Sequence, residues 1–150
     1  MSFKEKMAWV SALITAVIGA VYFGVVGAKL DGGPASGIDY KWWMIGAIGA
    51  TIVSTIVGTI VVSIGTAISA EISGQGPAKD IDREDERDKS IDRRGELFGY
   101  YVSSMGVLAA LVLAWLRQDQ FWIANALYLF LLIGSVVSSV AKIVFYRRGF

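Results

Sequence analysis

The sequence predicts an all-α membrane protein: four transmembrane helices with both termini on the cytoplasmic side, and a charged cytoplasmic helix just before the third span. Three observations lead there. Of the 150 residues, 55% are hydrophobic and 18% charged, with a mean hydropathy of +0.56, a balance hard to fold as a water-soluble globule. Four stretches are long and apolar enough to cross a hydrocarbon core, which takes roughly 20 residues of helix. The charges are segregated, with fourteen of the 27 lying between Lys79 and Glu96 in KDIDREDERDKSIDRRGE.

The first span covers about residues 7–28. Lys4 and Lys6 precede it as in a secretory signal, but the apolar run exceeds the roughly 7–15 residues of a signal core and no small-x-small cleavage site precedes a soluble domain. It is expected to stay as a membrane helix. A loop from Lys29 to Lys41 leads to the second span, about 42–70, where TIVSTIVGTIVVSIGTAIS is rich in β-branched residues. In water that composition favours a strand. In hydrocarbon an open sheet leaves backbone groups unpaired, so helix is expected instead. The runs are continuously apolar rather than alternating, which excludes a β-barrel.

The third and fourth spans, about 97–116 and 121–146, are joined by a tight turn at Arg117-Gln118-Asp119-Gln120. With the charged segment at 71–96, the spans fill residues 1–150 as one integral membrane domain, whose first partner is the lipid bilayer.

Positive charge is retained on the cytoplasmic side of a membrane. Placing both termini and the charged segment together collects eleven Lys and Arg residues on that side and leaves Lys29, Lys41 and Arg117 on the other. Aromatic residues mark the two interfaces: Trp9, Phe98, Tyr100, Tyr101, Phe145 and Tyr146 on the cytoplasmic side, and Tyr40, Trp42, Trp43, Trp115, Phe121 and Trp122 opposite. Lys142, one turn inside the last boundary, is expected to extend its ammonium back to the headgroups.

Small residues recur every fourth position, a spacing that lets helix backbones approach closely. The first span carries Ala12, Ala16, Ala20, Gly24 and Ala28, and the second Gly46, Ala50, Ser54 and Gly58. The third has Gly95, Gly99, Ser103, Gly106, Ala110 and Ala114, and the fourth Gly134 and Ser138. These faces serve packing within one bundle, or one of them is left over for a second copy or a partner subunit.

Function classes narrow by exclusion. There are no cysteines and no histidines, which removes thiolate chemistry, the usual metal ligands and the usual base near neutral pH. No carboxylate lies at mid-span, as a proton-coupled transporter would require. Thr55, Thr59, Ser63 and Asn125 are candidates for a pore lining or for interhelical hydrogen bonds. No nucleophile–base arrangement suggests an enzyme, no basic face suggests nucleic acid, and no cofactor or metal is implied.

The charged segment has its own logic. Ser73-Gly74-Gln75-Gly76-Pro77 should end the second helix, and Pro77 or Asp80 can open the next. Acids lead and bases follow, an order that complements the helix dipole. Asp80, Glu84, Asp88, Asp92 and Glu96 repeat every four residues and stack like charges on one face, a repulsion that a cation must offset. Neighbouring Lys and Arg, a basic partner and a hard divalent ion are the candidates. Ile81 and Ile91 are the only apolar residues in this stretch, too few for a core-facing stripe, so the helix is expected to be solvated or to dock through polar contacts.

DERDKSIDRRG at Asp85–Gly95, followed by Gly99-Tyr100-Tyr101, then Phe121-Trp122-Ile123-Ala124-Asn125-Ala126-Leu127 and the ending Tyr146-Arg147-Arg148-Gly149, resembles a group of small bacterial inner-membrane proteins in which a DERDxxI motif precedes the third of four helices. The resemblance implies four spans and a bacterial cytoplasmic membrane, and it carries no activity. An arginine fork can hold carboxylates bidentately. Asp85, Glu86, Arg87, Asp88, Asp92 and Arg93 are therefore the expected assembly contact, clamping helix ends of one chain or of two. Two function classes follow: a non-enzymatic protein of self-assembly or an accessory, regulatory partner of another membrane protein; or a small homo-oligomeric channel or transporter with a Ser/Thr-lined path.

Overall fold

The computed structural model describes residues 3–30, 34–72 and 86–148. Four long helices dominate: α1 (Phe3–Leu30), α2 (Lys41–Ile72), α3 (Glu86–Trp115) and α4 (Gln120–Arg148), with a single 3-10 turn at Ala35–Gly37. No strand occurs among the described residues, so the β-branched run of α2 is helical. All four helices are long and apolar enough to cross a membrane. A helix of roughly 30 residues spans about 45 Å, some 15 Å more than a hydrocarbon core. In α3 the surplus is its first three turns, ERDKSIDRRGE, so the charged helix and the third span are one continuous rod. Asp85 and the breaker cluster at 73–77 lie outside the described residues.

The bundle is open. Extensive packing joins α3 to α4, α4 to α1 and α1 to α2, which places the helices in the order α2, α1, α4, α3 with no comparable packing between the two outer ones. Glycine sets the α3–α4 contact, as the four-residue spacing predicts. A Cβ on Gly99 would stand 2.7 Å from the Gly134 carbonyl oxygen and 2.8 Å from the Ser138 Cβ, so any side chain there would push the backbones apart. Gly134 seats the Ser103 hydroxyl, and Gly106 seats Phe130. At the other contacts Gly19 faces Leu132 across α1 and α4, and Gly58 accepts Val10 and Ile14 across α2 and α1.

The α3–α4 turn closes tightly because both helix ends are capped. Gln118 N–H donates to the Leu113 carbonyl and Arg117 N–H to the Ala114 carbonyl, each at 3.0 Å, the paired bonds of a Schellman ending. Arg117 holds the left-handed position at φ 54°, where glycine is the usual occupant. Asp119 then caps α4, its Oδ1 accepting the Phe121 N–H at 3.0 Å.

At this end of the molecule the core is aromatic. Tyr22, Val26, Tyr40, Phe121 and Tyr128 form one buried cluster where the loop before α2 meets α1 and α4. Tyr40 and Phe121, expected near the outer interface, pack edge to face at 5.3 Å in this core, where the loop folds over α4. No described side chain of α2 is buried, and Ile52, Ile56, Ile60 and Ile64 are all more than half exposed.

Candidate functional site

The charged start of α3 is built into a clamp that ties three helix ends. Asp92 is its centre: Lys142 Nζ of α4 lies 3.1 Å from Asp92 Oδ1, and Lys4 Nζ of α1 lies 3.4 Å from Oδ2. Lys142 also reaches Glu96 Oε1 at 3.5 Å. One turn back, the Tyr146 hydroxyl donates to Asp88 Oδ1 at 3.0 Å. Asp88, Asp92 and Glu96 are thus the part of the carboxylate row that the structure places, and the charges beside it come from other helices.

A second pair closes the α1–α4 side. Glu5 is buried, and Arg147 Nε lies 3.6 Å from its Oε1 while the Arg147 guanidinium rests 5.5 Å from the centre of the Trp9 ring. Glu5 in the first turn of α1 and Arg147 in the last turn of α4 also suit the two helix dipoles. Beneath these charges Ile91 is 2% exposed, and Gly95 brings α3 close enough for the Lys142 stem to lie across it. Of the two expectations for this helix, solvated or docked through polar contacts, the structure shows the second: Ile91 and the close approach at Gly95 seat it, and Lys4, Lys142 and Tyr146 supply the polar contacts.

The members of the clamp differ from those expected. Asp88 and Asp92 belong to it, whereas Glu86 is exposed and pairs only locally with Lys89 at 3.7 Å. Arg87 and Arg93 are exposed on α3, and lysine and tyrosine hold the carboxylates in place of an arginine fork. Lys142 turns its ammonium to Asp92 and Glu96, where it is 18% exposed. Lys4, Glu5, Tyr146 and Arg147 were not among the expected site residues. The four-residue carboxylate period signalled a need for cations without naming which helix would bring them.

The polar groups of the spans are turned toward protein. Thr51, Thr55, Thr59 and Ser63 each donate to the carbonyl four residues back, at 2.7–2.8 Å, as Thr66 and Ser69 also do. Asn125 lies buried on α4, accepting from the Tyr22 hydroxyl at 2.8 Å and donating to the Phe121 carbonyl at 2.8 Å. Thr55, Thr59 and Ser63 run down α2 at an outer edge of the helix order, while Asn125 faces α1. The structure therefore does not bring the candidate pore residues together. The Tyr128 hydroxyl is buried in the same region without a hydrogen bond of ordinary geometry.

The small-residue positions divide. Gly58 and Ser54 are half-buried on the side of α2 that meets α1. Ala16, Ala20, Gly24, Gly46 and Ala50 are exposed, and a Cβ on Gly24 or Gly46 would meet nothing within 4 Å. Within one chain the first-span row makes no close helix approach; α1 meets α4 through Gly19 instead. Among the described residues no group of three acids is arranged to hold a metal ion.

Comparisons with protein-family models, with curated proteins and with solved structures returned no match. The geometry defines the class: an all-helical chain with four candidate membrane spans, tied at one end by an interhelical charge clamp and packed at the other through aromatics.

Proposed function

We propose that the chain is a non-enzymatic, multi-pass protein of a bacterial inner membrane, both termini and the clamp cytoplasmic, whose role is assembly with further copies of itself or as an accessory subunit. The observation that carries this reading is the exposed row Ala16, Ala20 and Gly24. It runs along α1, the helix that α2 and α4 flank. Small side chains facing lipid gain little, whereas facing another helix they allow close backbone approach, the chief source of association in hydrocarbon. Arg87 and Arg93, exposed beside the clamp, offer further charged contacts to a partner.

The conducting alternative draws less support, since the α2 hydroxyls are bonded to their own helix and Asn125 is engaged by Tyr22. Orientation rests on the clamp lying with Lys4, Lys142 and Arg147, at the end where the basic residues concentrate.

Crosslinking and co-purification from native membranes tests the proposal. The expected result is a discrete homo-oligomer or one stoichiometric foreign subunit, lost on Ala20→Leu and weakened by Arg87→Glu. A chain recovered alone and monomeric, or an assembly indifferent to both substitutions, would overturn it.

A further inference from the structure

The end of the molecule away from the clamp holds a groove that the assembly role does not use. α1 and α2 close on each other at Gly58, where Val10 and Ile14 fill the contact. Toward the loop between them they part, leaving a groove of about 450 Å³ with Val17, Val21 and Val25 on one wall and Trp43, Gly46 and Ala50 on the other. Its lining is almost wholly apolar, and Gly46 and Ala50 keep it open because neither carries bulk. Lys29 stands one helical turn beyond Val25, with its ammonium 4.9 Å from the centre of the Trp43 ring. The groove thus runs along the helices as an apolar slot with the Lys29 ammonium near its mouth.

We propose that this groove binds one acyl chain of an anionic glycerophospholipid, with the lipid phosphate at Lys29 and the chain lying between α1 and α2. A second helix is a poorer occupant, because the slot extends over only two to three turns of each wall. An acyl chain fills a narrow apolar slot without leaving backbone polar groups unpaired. Its phosphate supplies the counter-charge, and Trp43 sits at the level where chain and headgroup join. The site rests on the bilayer spanning proposed above and is independent of any assembly role.

The probe is a phosphatidylglycerol bearing a diazirine in its acyl chain, diluted into phosphatidylcholine vesicles that hold the full chain, with labelled positions mapped by mass spectrometry. Labels are expected to concentrate on Val17, Val21, Val25 and Ala50 over Ile60 and Ile64, which are exposed on α2 away from the groove. Ala50→Leu, and separately Gly46→Leu at a position where a Cβ meets nothing within 4 Å, should abolish that enrichment while leaving the Ile60 label unchanged. Lys29→Gln should lower it about fivefold, the loss expected for one basic residue at an anionic lipid surface. Equal labelling of groove and Ile60, or enrichment unmoved by all three substitutions, would overturn the site. A chain that stays in the aqueous fraction would overturn the bilayer reading along with it.

Discussion

Lys142 and Asp92 form the closest ion pair of the clamp, 3.1 Å apart, and join α4 to α3. Both side chains are less than a third exposed, so the pair is screened less than a surface bridge and each partner would be costly to leave alone. Lys142→Met removes the cation that faces both Asp92 and Glu96. The expected loss is about 1.5–3 kcal/mol, the range for hydrogen bonds to charged groups. Titration with a denaturing detergent, followed by far-UV circular dichroism, measures it. Asp92→Asn in the same background should cost less than it does alone, because only the contact with Lys4 is left to lose.

Gly99→Ala should destabilise the α3–α4 contact even though alanine is the better helix former, because the new Cβ would press on the Gly134 carbonyl and on Ser138. A loss of about 1–3 kcal/mol is expected from overpacking at a backbone contact. Gly24→Ala is the contrast. Its Cβ meets open space, so the fold should gain up to about 1 kcal/mol of helix propensity. Unfolding midpoints that moved in the same direction for both would contradict the packing described.

Arg117→Gly should stabilise the turn, since arginine at φ 54° carries the left-handed penalty that glycine escapes. A gain of about 1 kcal/mol is expected. Asp119→Ala should lose about 1 kcal/mol by removing the cap on the Phe121 N–H. Thermal unfolding of the two variants, alone and together, gives both values.

Tyr22→Phe leaves the Asn125 carbonyl oxygen without its donor in a buried site, and about 0.6 kcal/mol should be lost, the average measured between membrane helices, with about 1.7 as the ceiling. In an Asn125→Leu background the same change should be nearly neutral. A double-mutant cycle whose coupling energy is zero would show that the bond contributes nothing.

Much of the fold was legible because helices long and apolar enough to cross a bilayer are strongly constrained in sequence. The four apolar stretches, the turn at Arg117–Gln120 and the helical state of the β-branched α2 follow from hydrocarbon thickness and from backbone polar groups that lipid cannot satisfy. The α3–α4 glycines were readable too, since a four-residue spacing of Gly99 and Ser103 opposite Gly134 and Ser138 has few uses besides close approach. Asp88 and Asp92 could be singled out from the carboxylate period, but their partners could not.

The sequence by itself determined the four apolar helices and that the charges at the start of α3 need compensation, but not that the charged helix and the third span are one rod. Only the tertiary structure decided the order α2, α1, α4, α3, the choice of Lys142, Lys4 and Tyr146 to face the carboxylates, and which small-residue rows stay uncovered. The physical reason is the solvent. In water, burial separates apolar from polar residues and writes each helix's inner face into the sequence as a period. In lipid the buried and exposed faces are equally apolar, so the neighbours of a helix are selected by steric fit and a few interhelical charges. Those charges come from residues as far apart as Lys4 and Asp92, 88 positions along the chain.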